Sequence, residues 1–414
     1  MERLIGTVSR GVRAPIIREG DDIVQIVTDS VLNAAKAENI AFHDRDVVAV
    51  TEAVVARAQG NYASVDDIAA DVRAKFPSGE LAVIFPILSR NRFAICLKGI
   101  ARGTKKMYLM FGYPSDEVGN HLISMDDVDA AGVDPYKDVL TEARFRELFG
   151  YKKHRFTGVD YIEYYKDLIS DEGCEVEILF ANDARAILDY TKNVITCDTH
   201  TRERNQRLLK AAGGEIVMGL DGILNAPVGG SGCNEDFGLL GSNKATEDTV
   251  KLFPRDCQPV VDGIAAKLRV ATGKKIEVMI YGDGAFKDPV GKIWELADPV
   301  VSPAYTAGLV GQPNELKLKY LADNDFADLS GDALKEAISE RPGVREMPVR
   351  GIRHRDLFVQ NHIGIVCHAL RHDVHPLKQV DLMIVHPDIP DVLCYLNHIP
   401  SHSFKKLSST FCIP

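Results

Sequence analysis

Two apolar patterns follow each other within the first 60 residues: apolar residues at helical spacing, and then an unbroken apolar run. Between residues 21 and 37, apolar side chains such as Ile23, Val27 and Val31 recur every three or four positions, which predicts an amphipathic helix. Acidic residues at 21 and 22 lie at its start, where the helix dipole favours negative charge. Residues 47–51 (VVAVT) contain no charged residue and predict a buried strand.

Predicted helices and strands alternate along the rest of the chain. A capping-box pattern at residues 64–67 begins another helix, which Pro77 ends. Further strands are predicted at residues 81–86, 106–111, 175–180, 193–197, 215–220 and 276–281, and further helices at 137–149, 201–212 and 258–272. This alternation predicts an α/β fold of mixed (α+β) type, with mixed, largely buried sheets and flanking helices. The length suggests two or three domains, and we place two, at residues 1–200 and 201–414.

Composition narrows the possible partners and compartment. The chain of 414 residues has 49 Lys and Arg against 59 Asp and Glu, a net charge of −10, so nucleic acid and anionic membranes are poor candidate partners. The longest apolar run, residues 81–88, is far shorter than the ~20 residues that span a bilayer, and the N-terminus lacks a signal-peptide pattern. The eight cysteines form no C-x-x-C pair. We expect a cytoplasmic protein with reduced thiols.

Three predicted strands run directly into an aspartate: Asp198, Asp221 and Asp283. In open α/β sheets, ligands bind outside the carboxyl ends of strands, where carboxylates can hold Mg²⁺ or Mn²⁺ and thereby phosphate. Asp221 and Asp283 are the better candidates because glycines stand close on both sides of each. Ordinary turns after strands are also rich in Asp and Gly, and they are the competing explanation.

Other site patterns are weaker. No P-loop, no G-x-G-x-x-G and no G-x-S-x-G sequence occurs. Eight of the twelve histidines lie at or after His354, and His368, His372 and His375 have spacing that could present imidazoles to one metal ion. A hydrolytic metalloenzyme that uses these histidines is therefore an alternative hypothesis. The competing explanation is that they are scattered surface histidines without a metal.

Several stretches together resemble one enzyme family. Residues 12–23 (VRAPIIREGDDI) are similar to the opening of the coenzyme F420-0:L-glutamate ligases, or γ-glutamyl ligases. Residues 46–60 resemble the family's next motif, and residues 219–221 and 278–286 resemble two later ones in the same order. Residues 349–352 (VRGI) are similar to a late V-R-G-L. Residues 61–198 match no part of the family pattern.

The resemblance implies a two-domain α/β dimer that joins glutamate, through its amine, to a carboxylate of an acceptor. The reaction uses GTP (or ATP) with Mg²⁺ or Mn²⁺. The family's metal aspartates fall on Asp221 and Asp283, which then act as both metal-binding and catalytic residues. The positions implied to contact the nucleotide or its metal ion are Pro15, Thr51, Arg57, Asn225, Gly284 and Arg350.

This chain departs from the family at some of these positions. Glu52 and Ala53 replace a Ser-Lys pair, which removes one cation and adds one carboxylate next to the implied phosphate site. Gly284 replaces a threonine and has no hydroxyl. These differences suggest a divergent ligase in which the nucleotide or the acceptor is altered, and we expect an altered acceptor. The alternative is a non-catalytic nucleotide- or metal-binding regulator on the same scaffold.

Overall fold

The computed structural model describes residues 8–155, 157–282, 285–287, 294–296, 303–309, 321–340 and 380–386. Its strands are β1 Val8–Arg13, β2 Val47–Thr51, β3 Tyr62–Ser64, β4 Glu80–Ile84, β5 Lys106–Phe111, β6 Leu140–Thr141, β7 Glu175–Phe180, β8 Asn193–Thr196, β9 Ile216–Gly219, β10 Asn243–Lys244, β11 Thr249–Lys251, β12 Glu277–Tyr281, β13 Ala285–Lys287, β14 Trp294–Leu296, β15 Ala304–Tyr305 and β16 Val380–His386. Its α-helices are α1 Ile23–Ala37, α2 Glu52–Ala58, α3 Val65–Lys75, α4 Phe93–Arg102, α5 Met125–Ala131, α6 Glu142–Phe149, α7 Tyr161–Asp171, α8 Arg202–Ala211, α9 Cys257–Thr272 and α10 Gly331–Glu340. In these ranges, no helix is long and apolar enough to cross a membrane.

A five-stranded sheet brings the two ends of the chain together, in the order β1-β16-β2-β12-β15. Only β2 and β12 run parallel among its described strand pairs, with Thr51 opposite Tyr281 in the register. Apolar side chains of α1 and α9 pack with those of β2 and β12 in one core, in which Val27, Val48 and Val261 are fully buried.

A second sheet is doubly wound. Its order is β6-β7-β5-β4-β8-β9, and all its strands except β6 run parallel to their neighbours. Alternate residues of β4 enter two different cores: Leu81 and Val83 pack with helices α3, α4 and α7, whereas Ala82 and Ile84 pack on the α8 side. Helices therefore cover both faces, which explains the continuous apolar runs of the central strands β4 and β5.

The predicted mixed α/β class is confirmed, and the predicted strands all occur, within one or two residues of their predicted bounds. The helix predicted from residue 137 begins at Glu142 instead. The side chain of Thr141 accepts a hydrogen bond from the Arg144 amide and thereby caps the helix, while Asp138 accepts one from the Asp134 amide in a preceding turn. Strands from either side of residue 200 share both large sheets.

Candidate functional site

The first candidate site lies where β2 and β12 end. Because these strands are parallel and Thr51 pairs with Tyr281, the residues that follow both strands leave the sheet at the same edge. Helix α2 begins there at Glu52. Asp283 and Gly284, which follow Gly282, lie outside the described residues. The strand pairing thus brings the start of α2 next to the chain that leads to Asp283.

The hydroxyl of Thr51 is the unusual polar group at this edge. Thr51 is the N-cap residue of α2, but its side chain makes no capping hydrogen bond. Its Oγ1 is buried and has no hydrogen-bond partner in the described part of the chain. Buried hydroxyls without a partner are uncommon, since they lose their hydrogen bonds to water on folding. The hydrogen-bonding capacity of this oxygen is therefore unused within the described residues.

The neighbouring Glu52 is neutralised by a lysine from elsewhere in the fold. The Nζ atom of Lys251, in β11, lies 2.5 Å from Oε2 of Glu52, and both side chains are about nine-tenths buried. The carboxylate gained at position 52 therefore adds no uncompensated charge next to the site. Sequence reasoning missed Lys251 because 199 residues separate it from Glu52.

The two motifs nearest the N-terminus meet at the other end of α2. The amide of Gly20 donates a hydrogen bond of 2.9 Å to the carbonyl oxygen of Ala58. Pro15 and Arg57 are both exposed, and Arg57 forms no ion pair within the described residues. A guanidinium in this state is free to reach a phosphate or a carboxylate of a ligand.

Asp221 belongs to the doubly wound sheet. It lies in a single 3₁₀ turn, Leu220–Gly222, directly after β9. Its Oδ2 is 3.3 Å from Nε of Arg202, and 29% of its side chain is exposed. A Cβ atom at position 219 would collide with Oδ1 of Asp221, so the glycine before the turn makes room for this carboxylate.

A lysine from α3 fixes the turn that carries Asp221. Nζ of Lys75 donates hydrogen bonds to Oδ2 of Asp71 at 2.7 Å, to the carbonyl oxygen of Gly222 at 2.7 Å and to Oδ1 of Asn225 at 2.9 Å. The same Oδ2 of Asp71 accepts a hydrogen bond from the Leu224 amide at 2.7 Å. The side chain of Asn225, which the resemblance implies as a ligand contact, is therefore hydrogen-bonded to Lys75 and helps to hold the turn.

A family model for F420-0:Gamma-glutamyl ligase matches residues 11–360. The chain belongs to this ligase family. No curated protein matched the chain. Membership supports an enzyme of ligase type in coenzyme F420 biosynthesis, with glutamate and an acceptor as substrates.

The family match places the observed geometry in context. It covers every stretch on which the resemblance rests, and it also spans residues 61–198, which fold into most of the doubly wound sheet. Asp221 follows a strand of that sheet, whereas the strand before Asp283 belongs to the five-stranded sheet. That the two aspartates bind metal ions together stays a prediction.

The structure describes two candidate oxygen ligands for a hard cation, and they lie at the ends of strands of different sheets. The carboxylate of Asp221 and the unpartnered hydroxyl of Thr51 are oxygen ligands of the kind that Mg²⁺ and Mn²⁺ prefer. Within the described residues, no three His, Cys, Asp or Glu side chains form a metal-binding group. Asp283, Arg350 and the histidines at 368, 372 and 375 lie outside those residues.

Proposed function

We propose that this chain is an NTP-dependent amide-forming ligase that adds an amino acid, L-glutamate, to a small carboxylate acceptor. The observation that carries the proposal is the family match over residues 11–360. The parallel pairing of β2 with β12 supports it, because the implied nucleotide contact at Thr51 lies at the edge at which the chain leads to Asp283. Arg57 lies at the opposite end of the helix that begins at this edge.

The reaction we propose proceeds through an acyl phosphate. A carboxylate oxygen of the acceptor attacks the γ-phosphorus of GTP or ATP, the β–γ bridging bond breaks and the nucleoside diphosphate leaves. The amine of the amino acid then attacks the acyl carbon, the new C–N bond forms, the amine loses a proton and phosphate leaves. Positioning of substrates and electrostatic stabilisation account for catalysis of this kind, so the enzyme needs no covalent nucleophile.

Each candidate residue has a role in this proposal. Arg57 binds triphosphate oxygens, because it is an exposed guanidinium at the end of α2 with no carboxylate partner among the described residues. Asp221 and Asp283 would hold Mg²⁺ or Mn²⁺, which when bound neutralises charge on phosphate oxygens. The homodimer and the cytoplasmic location that the sequence suggests stay predictions.

The second candidate function is a regulator that binds nucleotide without turnover. Its support in the sequence is the set of departures from the family pattern at Glu52, Ala53 and Gly284. The ion pair of Glu52 with Lys251 weakens that argument, since the pair is neutral as a whole.

A substrate-dependence experiment distinguishes the two. Purified protein is incubated with GTP or ATP, Mn²⁺, L-glutamate and a panel of carboxylates that includes the deazaflavin precursor of coenzyme F420. We expect phosphate release that requires both the amino acid and one acceptor, with an amide product found by mass spectrometry. Nucleotide binding with no turnover for any acceptor would support the regulator instead. Efficient turnover of the deazaflavin precursor would contradict the expectation of an altered acceptor.

A further inference from the structure

The doubly wound sheet has a switch point that the proposed nucleotide site does not use. Its parallel strands lie in the order β7-β5-β4-β8-β9, so the chain builds outward from β4 in one direction and then returns to build outward from β8 in the other. In open sheets of this order, ligands bind in the crevice outside the carboxyl ends of the two central strands. Here that crevice lies beyond the ends of β4 and β8.

Asp198 stands at this point, two residues after β8. The residue is 2% exposed. Its Oδ2 accepts hydrogen bonds from Oγ1 of Thr201 at 2.6 Å and from Nδ2 of Asn205 at 3.0 Å. Its Oδ1 is buried and has no hydrogen-bond partner in the described part of the chain. A buried carboxylate oxygen without a partner is costly, and such costs are typical of functional positions.

The groups around Asp198 determine which kind of ligand could bind its unpartnered Oδ1 atom. Glu117, in the loop after β5, reaches past the end of β4 and accepts hydrogen bonds from the amides of Thr199 and His200. Burial raises the pKa of Asp198, and repulsion by the Glu117 carboxylate raises it further. Two neighbouring carboxylates favour a cationic hydrogen-bond donor, because a neutral hydroxyl would leave the buried charge uncompensated.

The crevice is also connected to the proposed metal aspartate. Arg202 donates a hydrogen bond of 2.6 Å from Nη1 to the carbonyl oxygen of Thr199, and its Nε lies 3.3 Å from Oδ2 of Asp221. Since β8 and β9 are adjacent parallel strands, Asp198 and Asp221 follow neighbouring strands at one edge of the sheet. A cation bound at Asp198 would thus lie on the side of the sheet where Asp221 stands.

We propose that the unpartnered carboxylate oxygen of Asp198 receives the ammonium group of the amino-acid co-substrate in the crevice between β4 and β8. The proposal rests on the proposed ligase function, which requires an amine to be held beside the activated acceptor. It assigns amino-acid recognition to the part of the chain that the family motifs leave unmatched.

Binding of two ligands that differ only in the amine tests the proposal. L-glutamate and glutarate are titrated calorimetrically into the full chain, alone and with a non-hydrolysable GTP analogue. We expect at least tenfold tighter binding of L-glutamate than of glutarate to the wild type. In Asp198→Asn we expect this preference to disappear, because an amide N–H₂ group would then face the ammonium. Equal affinities in the wild type under both conditions, or an unchanged preference in Asp198→Asn, would overturn the proposal.

The melting temperature of Asp198→Asn distinguishes a ligand-binding role of Asp198 from a purely structural one, because the two roles predict shifts in opposite directions. If Asp198 is kept charged for a ligand, Asp198→Asn raises the melting temperature of the unliganded protein; a lower melting temperature or failure to fold contradicts the proposal. Thr201→Ala is the matched control, since it removes a partner of Oδ2 but keeps the carboxylate, and it should lower the melting temperature and retain the preference for L-glutamate.

Nucleotide-dependent ligation that is unaffected in Asp198→Asn would reject this inference alone. A preference for L-glutamate that depends on Asp198, in a protein without ligation, would reject the ligase function alone.

Discussion

Replacement of Lys75 by methionine should destabilise the turn that carries Asp221. Lys75 joins α3 to that turn through three hydrogen bonds, to Asp71, Gly222 and Asn225. The substitution keeps the length of the side chain and removes its charge and donors. The carboxylate of Asp71 is then left with only the Leu224 amide among its described partners.

The magnitude follows from the exposure of the two charged groups. Breaking a fully buried ion pair costs about 3–5 kcal/mol, and an exposed pair contributes about 0–1 kcal/mol. The side chain of Asp71 is 8% exposed and that of Lys75 is 26% exposed, so this pair lies between the two limits. We expect Lys75→Met to lower the free energy of unfolding by about 2 kcal/mol.

Urea denaturation followed by circular dichroism measures this loss, and hydrogen exchange of the Leu224 amide reports on the turn itself. The double variant Asp71→Asn/Lys75→Met is the control, because an amide oxygen at position 71 can still accept from Leu224 while no charge remains buried. It should be more stable than Lys75→Met by about 1 kcal/mol. A loss below about 0.5 kcal/mol in the single variant, or a double variant that is no more stable, would refute the reasoning.

Four further predictions concern the other groups described above. Glu52→Gln should lower the midpoint of urea unfolding, since it leaves the Lys251 ammonium buried without its carboxylate, and Lys251→Met in the same chain should restore much of the loss. Arg57→Ala should raise the KM for nucleotide about tenfold or more in steady-state assays, as expected for the loss of a charge-assisted hydrogen bond of ~1.5–3 kcal/mol; unchanged kinetics would make Arg57 a surface residue only. Asp221→Asn should weaken Mn²⁺-dependent nucleotide binding in calorimetry with folding intact, and unchanged affinity would remove it from the metal site. Burial raises the pKa of Cys96 to about 11, so this thiol should stay unmodified by iodoacetamide at pH 7 until the protein is unfolded, as peptide mass spectrometry would show.

Local patterns were sufficient to predict the elements of the fold. Strands β2, β5 and β7 occur at their predicted bounds. Each contains a buried apolar stretch, residues 47–50 in β2 and residues 178–180 in β7, as strands covered on both faces require. The prediction was wrong at the start of α6, because it included residues 137–141, whereas the side chain of Thr141 caps the helix and the helix begins at Glu142. Capping is decided by side-chain geometry, which hydrophobic spacing does not encode.

Long-range pairing was not predictable from the sequence. The register that sets Thr51 opposite Tyr281 joins residues 230 positions apart, and no local pattern of either strand specifies its neighbour. The ion pair of Glu52 with Lys251 is of the same kind. Sequence alone therefore showed a carboxylate in place of a small polar residue, and the compensating cation became visible only in the folded chain.

Residues 61–198, in which the sequence showed no family motif but which the family model covers, are part of the scaffold of the candidate site. They supply α3, whose Lys75 holds the Asp221 turn, and all the strands of the doubly wound sheet except β9, which precedes that turn. A change in this segment would therefore alter the position of Asp221 as well as the crevice at Asp198. Since specificity depends on contacts in the substrate pocket, a change in this segment can alter which substrate is accepted without changing Thr51 at the β2 and β12 edge, which we propose as a nucleotide contact.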